Sequence, residues 1–289
     1  MKRRREALLV KIGLVLEGGG MRGMYTAGVL DVLLQAGVKV DGIVSVSAGA
    51  LFGVNYLSNQ PGRAIRYNKR FATQRNYIGW YSLLTTGNIV NQQFAYYDVP
   101  FELDVFDEAT FAASATPFIA VVTNVETGQA EYKMITHPLK QMEILRATSA
   151  LPYVSKFVML DGIPYLDGGI VDSIPVAFAQ TLGFDKLIVV LTRPNGYRKE
   201  EKSNKLAKRF YRHYPQLVDA LENRNKRYNA TLEQIANDEA AKRLLTIRPS
   251  EALKVKRIER NPQRLQAMYD LGVKDGETSL INILDYLSD

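Results

Sequence analysis

An unbroken apolar run at residues 12–16, IGLVL, reads as a buried strand, since burial on both faces removes the polar alternation of a half-exposed one. Glycines follow at 18, 19, 20 and 23. From 24 to 35 the period changes: Ala27, Leu30, Leu33 and Leu34 share one helical face, and Gly37 ends the helix. A second strand is predicted at 40–46, VDGIVSV, and a helix rich in small residues opens at 48 with AGALFGVNYL. Strand, glycine loop, helix, strand, helix is the rhythm of a sheet covered by helices on both faces.

Residues 61–110 are less regular and aromatic, with YIGWYSLL and QQFAYYDVPF prominent, and predict a helical or loop insertion that walls one side of a cleft. Two strands joined by a turn at Thr127-Gly128 are expected over 117–135, and LKQMEILRATSALP reads as a helix stopped by Pro152. Strand signals recur at 157–160 and 186–191. After Pro194 the pattern becomes charge-rich and helical over roughly 199–245, with a short strand expected at 254–259 and a helix near 262–271.

Composition narrows the classes. Hydrophobic residues at 46% and charged ones at 23% fit a globular protein. With no cysteine, disulfides and thiolate-bound zinc are excluded, and only His137 and His213 offer imidazole. A histidine-based metal centre is therefore not expected. No apolar run approaches the roughly 20 residues that span a bilayer. The N-terminal MKRRREALLVKIGLVLEGGG imitates a signal peptide, but Lys11 breaks the apolar run and no A-x-A-like cleavage site follows. It reads as a basic arm leading into the first strand, so the expected location is cytoplasmic, including the inner membrane surface. Residues 193–260 hold 18 Lys/Arg against 9 Asp/Glu, although the chain as a whole carries only +7. Such an excess suits either a solvated helical face or attraction to an anionic membrane surface. No nucleic-acid-binding pattern accompanies it, so nucleic acid is not an expected partner.

Candidate chemistry centres on Ser47 in SVSAG. A serine hydroxyl needs a sharp strand-to-helix turn and a nearby base to become a nucleophile. The turn crowds its neighbours, which accounts for small residues at Ser45 and Gly49. This is G-x-S-x-G with serine replacing the first glycine. A plain helix cap would look alike. The loop GGGMRG fits G-x-G-x-x-G through Gly18, Gly20 and Gly23, and Asp41 stands where a ribose-binding acid is sought. Against a dinucleotide, Asp41 begins its strand and Arg22 falls inside the fingerprint. The same backbone amides suit a developing oxyanion, and an ordinary tight turn is the third reading. Asp167, before two glycines in YLDGGIVDSIP, is the candidate base, with Asp161 and Asp172 as nearby competitors.

With GGGMRG, SVSAG, ATSALP and DGG in this order, the sequence resembles the patatin-like phospholipase family, particularly its bacterial members, over roughly residues 12–190. The resemblance implies a three-layer α/β/α fold with a mainly parallel sheet. A core over 8–195 is expected to carry the catalytic residues, and the change of composition after Pro194 predicts a basic, mainly helical extension over 196–289 packed on it. The resemblance also implies hydrolysis of acyl esters in lipids by a Ser47–Asp167 dyad, without metal or organic cofactor. The oxyanion loop is then Gly18, Gly19, Gly20, Met21, Arg22 and Gly23, with amides around Gly19, Gly20 and Met21 as donors. The expected partner is an acyl-lipid or ester substrate, and oligomeric state is left open. The alternatives are a small-ester carboxylesterase and a non-catalytic protein binding an acidic metabolite at the glycine loop.

Overall fold

The computed structural model describes residues 10–201 and 204–288; the basic arm expected at the N-terminus lies outside them. The chain alternates strands and helices in the order β1 (Ile12–Leu16), α1 (Met24–Gln35), β2 (Gly42–Val46), α2 (Ala48–Leu57), α3 (Arg63–Phe71), α4 (Trp80–Thr86) and α5 (Glu108–Ala113). There follow β3 (Phe118–Asn124), β4 (Ala130–Ile135), α6 (Met142–Thr148), β5 (Val158–Leu160), β6 (Ile163–Asp167), α7 (Val176–Thr181) and β7 (Lys186–Val190). The last elements are α8 (Lys205–Phe210), α9 (Pro215–Ala240), β8 (Leu244–Ile247) and α10 (Pro262–Ser288).

The strands form one mixed, mostly parallel sheet in the order β5-β6-β3-β2-β1-β7-β8, with β4 also paired to β3. Pairing is parallel from β3 through β2, β1 and β7 to β8, and antiparallel where β3 meets β4 and β6 and where β5 meets β6. Successive side chains serve opposite faces. Leu14 and Leu16 join the core beneath α1, α2 and α10, whereas Val15 joins the core on the other face with Val176 of α7 and Tyr228 and Ile235 of α9. Ile188 and Val190 of β7 divide from Leu187 and Val189 in the same way. The result is the three-layer α/β/α arrangement expected from the sequence.

One register fixes the site. Val46, the last residue of β2, lies beside Val121 of β3, and the next residue of β3, Val122, is paired with Asp167. Because β4 occupies the other edge of β3 over 118–123, β6 continues along the edge that β2 vacates. The end of β6 is thus brought to the point where the chain leaves β2 at Ser47.

Two expectations for the C-terminal part are corrected. No strand forms at 254–259, where the chain is irregular and only Val255 and Glu259 are buried. The strand forms instead at 244–247, whose Leu244 and Ile247 are buried and which pairs in parallel with β7. The last helix runs on far beyond residue 271. Gly272 looks like a stop signal, but it sits where α10 presses on α1: a Cβ there would come 2.1 Å from the Tyr25 carbonyl oxygen, and one at Gly28 2.2 Å from that of Tyr269. Tyr269 also donates from its hydroxyl to Asp31 of α1 at 2.6 Å.

Candidate active site

Ser47 occupies a backbone conformation that only a forced turn imposes on a side-chain-bearing residue, with φ 54° and ψ −124°. The turn is held from several sides. The Ser47 N–H donates to Thr148 Oγ1 at 2.8 Å, and Thr148 Oγ1 donates in turn to the Val121 carbonyl at 2.6 Å. At Gly49 a Cβ would lie 2.7 Å from the Leu16 carbonyl oxygen, so a larger residue would push α2 off β1. Ser45, which stands where the elbow pattern has glycine, is fully buried and donates to the Ile119 carbonyl at 2.9 Å. The extra atoms of that serine are therefore accommodated in the sheet, and its hydroxyl is satisfied.

The Ser47 hydroxyl donates to Asp167 Oδ2 at 2.8 Å, across 120 positions of sequence. The other oxygen of this carboxylate, Oδ1, accepts the Gly169 N–H at 2.7 Å, which fixes its direction. Burial pushes the Asp167 carboxyl above its ordinary range, and the Arg224 guanidinium, the Ser47 hydroxyl, the Gly169 amide and Arg257 oppose that shift. Neither competitor shares this place. Asp161 sits at positive φ in the turn between β5 and β6, and Asp172 accepts from the Tyr132 hydroxyl at 3.0 Å. His137 and His213 line neither cavity at Ser47.

The glycine loop lies against the serine: a Cβ on Gly18 would be 3.1 Å from that of Ser47. Gly20 has φ 58°, and a Cβ on it would meet the Arg257 carbonyl oxygen at 2.4 Å. That carbonyl accepts the Met21 N–H at 3.0 Å, which removes Met21 from the expected amide donors. The N–H groups of Gly19 and Gly20 form no hydrogen bond with the described residues. Gly23 packs its α-carbon against Ala48 and Phe52. Arg22 is half-buried, its Nε without a partner among the described residues, and burial together with Arg193 and Arg257 lowers its pKa to about 10. Asp41 is no ribose ligand: it accepts the Ile12 N–H at 2.7 Å, at the opposite end of β1 from the loop.

Two cavities meet at Ser47. One, of about 120 Å3, is apolar and is walled by the 61–110 insertion, including Tyr67, Tyr77, Val90, Tyr96 and Val99. The other, of about 50 Å3, is polar and also touches Asp167 and the glycine loop. Sequence reasoning singled out Ser47, Asp167 and the loop. It missed Thr148 as the anchor of the turn, although ATSALP was noticed, and it missed the contribution of Arg224 and Arg257, which looked like members of a charged surface.

Comparison with known proteins agrees with this frame. A family model described as patatin-like phospholipase matches residues 14–179. The chain belongs to the patatin-like phospholipase family. A second model, a domain of unknown function (DUF6363), matches residues 214–288. Among curated relatives, the uncharacterized protein YjjU of Escherichia coli K12 is 33% identical over 199 residues, 64% of this chain and 53% of that one. Lysophospholipase nte1 of Emericella nidulans is 29% identical over 192 residues, 62% of this chain but 12% of its own length. The chain thus spans about half of the first relative and a small part of the second. VipD from Legionella pneumophila overlays with a TM-score of 0.44 at 12% identity, over 97% of this chain and 67% of that structure.

Replacing Thr148 by valine keeps the shape but leaves the Ser47 N–H and the Val121 carbonyl without this partner. Each buried group so orphaned costs about 1–3 kcal/mol. Urea unfolding of Thr148→Val is expected to show a loss of that size, and an unchanged midpoint would remove Thr148 as the anchor.

Proposed function

We propose that the protein is a serine-dependent hydrolase of carboxylic esters in lipids, with Ser47 as nucleophile and Asp167 as its base. The observation that carries this reading is the Ser47 Oγ to Asp167 Oδ2 hydrogen bond at the junction of two cavities, in a chain of the patatin-like phospholipase family. Asp167 takes the hydroxyl proton as Ser47 Oγ attacks the ester carbonyl. The negative charge that develops on the carbonyl oxygen is met by the amides of Gly19 and Gly20, and by that of Ala48, one of the unpaired N–H groups opening α2. Collapse releases the alcohol, which receives the proton from Asp167, and leaves an acyl-serine. Water then gives a proton to Asp167 and attacks the acyl carbon, and the proton returns to Ser47 as the acid leaves. The acyl portion is assigned to the apolar cavity.

A lipid surface is the proposed partner. The helix α4 hangs from the Ile78–Val90 bridge, both residues of which line the apolar cavity, and it exposes Trp80, Tyr81 and Leu84. No helix among the described residues is long and apolar enough to cross a membrane. The contact proposed is peripheral, through these exposed side chains, at the cytoplasmic face. The small-ester reading rests on cavity size: about 120 Å3 is below the roughly 150 Å3 that admits a benzene. A long chain must therefore extend beyond this cavity.

Stoichiometric labelling by a fluorophosphonate probe is expected for the parent and none for Ser47→Ala; a folded Ser47→Ala protein with parental turnover overturns the nucleophile, and no labelling of the parent at any pH favours a non-catalytic binder. Because burial raises the Asp167 pKa and only its ionised form accepts the proton, activity is lost as pH falls through that raised value. The acid limb of kcat/KM is expected above the roughly 3.9 of an ordinary aspartate, and a limb at or below it would contradict the base assignment. Leu84→Asp is expected to slow turnover of a vesicle-borne long-chain ester more than that of a dispersed butyrate ester. Equal effects on both substrates, or a parent preference for butyrate, would favour the small-ester hydrolase.

A further inference from the structure

The polar cavity on the far side of Ser47 is ringed by Arg22, Arg193, Lys199, Arg224 and Arg257. Among the described residues only two carboxylates line it, Glu17 and Asp167. Asp167 is engaged by Ser47 and Gly169, and Glu17 accepts the Thr192 N–H at 2.5 Å and the Tyr228 hydroxyl at 2.8 Å. Among the described residues none of the five cations forms an ion pair. Their contacts are of other kinds. Arg193 lies over the Tyr197 ring, 4.5 Å from its centroid, Lys199 over that of Tyr228 at 3.4 Å, and Arg224 Nε donates to the Gly169 carbonyl at 2.7 Å. All five are half-buried. Burial, and then repulsion among them, lowers Arg22 and Arg224 to about 10 and Lys199 to about 6. So many inward-facing basic side chains, gathered at a cost and outnumbering two carboxylates that are already engaged, describe a site built for an anion.

The cavity holds about 50 Å3 where a single water needs roughly 10–15 Å3, so it has room for a small anion. Beyond Arg224 and Arg257 it adjoins a larger surface hollow of about 420 Å3. Since Ser47 borders both the apolar and the cationic cavity, an ester whose acyl chain fills the first directs its alcohol into the second.

We infer that the cationic cavity receives a phosphate carried by the alcohol half of the ester, and that it selects lipids whose headgroup is anionic and lacks a compensating cation. This rests on the ester-hydrolase reading above and adds to it the substrate's headgroup. A choline or ethanolamine ammonium would meet four arginine charges and no unengaged carboxylate, whereas a phosphomonoester places up to two negative charges among them and favours the protonated form of Lys199.

The test uses Arg193→Gln and Lys199→Gln, since Arg224 also braces the Asp-Gly-Gly loop and the Arg257 carbonyl holds the glycine loop. For the parent, kcat/KM for lysophosphatidic acid is expected to exceed that for lysophosphatidylcholine, and that for a monoacylglycerol of the same chain, at least tenfold. In each variant both ratios are expected to fall at least fivefold. Independently of turnover, calorimetry on Ser47→Ala protein should detect binding of inorganic phosphate, weakened at least fivefold by adding either substitution. A parent that prefers the choline lipid or the neutral one, or ratios unchanged in the variants, overturns the proposal. Phosphate binding without headgroup preference also overturns it, and marks a site for free phosphate instead. Absence of hydrolysis with every ester strikes the reaction proposed for Ser47 and leaves the anion site to be judged by calorimetry alone.

Discussion

The geometry of the site depends on how one strand edge is shared. Over Phe118–Val121, β3 is covered by β2, and from Val122 onward the same edge is covered by β6 running the other way. A parallel strand ends and an antiparallel one begins along a single line of backbone hydrogen bonds, so the serine leaving the first and the aspartate finishing the second are placed face to face. The pleat allows little latitude here. A slip of one residue in β6 would turn the Asp167 side chain to the other face of the sheet. The position of the carboxylate is thus a property of the sheet, and the loop after it supplies only the last restraint, the Gly169 amide on Oδ1.

The strain at Ser47 is balanced by the same sheet. Residues held outside the usual backbone regions persist only where their surroundings over-determine them. Here the surroundings are the Thr148 hydroxyl between Ser47 and β3, the tight contact of Gly49 with the end of β1, and the buried Ser45 hydroxyl on β3. The substitution of serine for the first elbow glycine adds one more tie between β2 and β3.

Much of this was legible in the sequence, and the remainder was hidden for identifiable reasons. The runs at 12–16 and 24–35 gave β1 and α1 without error, because a fully apolar run and a clean helical period leave few alternatives. Ser47 and Asp167 were found from the small residues that surround each. What could not be read was long-range. Nothing in VDGIVSV or IPYLD reveals that β2 and β6 share an edge. The Met21 amide looked available until Arg257, more than 200 positions later, was seen to claim it. The strand expected at 254–259 does not form, whereas LLTI at 244–247 straddles the point near 245 where the charge-rich helical stretch is expected to end. The cations at 193, 199, 224 and 257 were counted in the basic excess, but no local pattern separates an inward arginine from a solvated one.

The near-contact of backbones at Gly28 and Gly272 bears on how the molecule is made. The outer side of α1 is buried by a helix that begins at Pro262, so during synthesis the ribosome must add more than 200 further residues before that side can be covered. Pairings so distant along the chain are slow to form and leave sticky surface bare meanwhile. Docking of α10 is therefore a late step in assembling this sheet and its helices, and until it occurs the outer side of α1 stays bare.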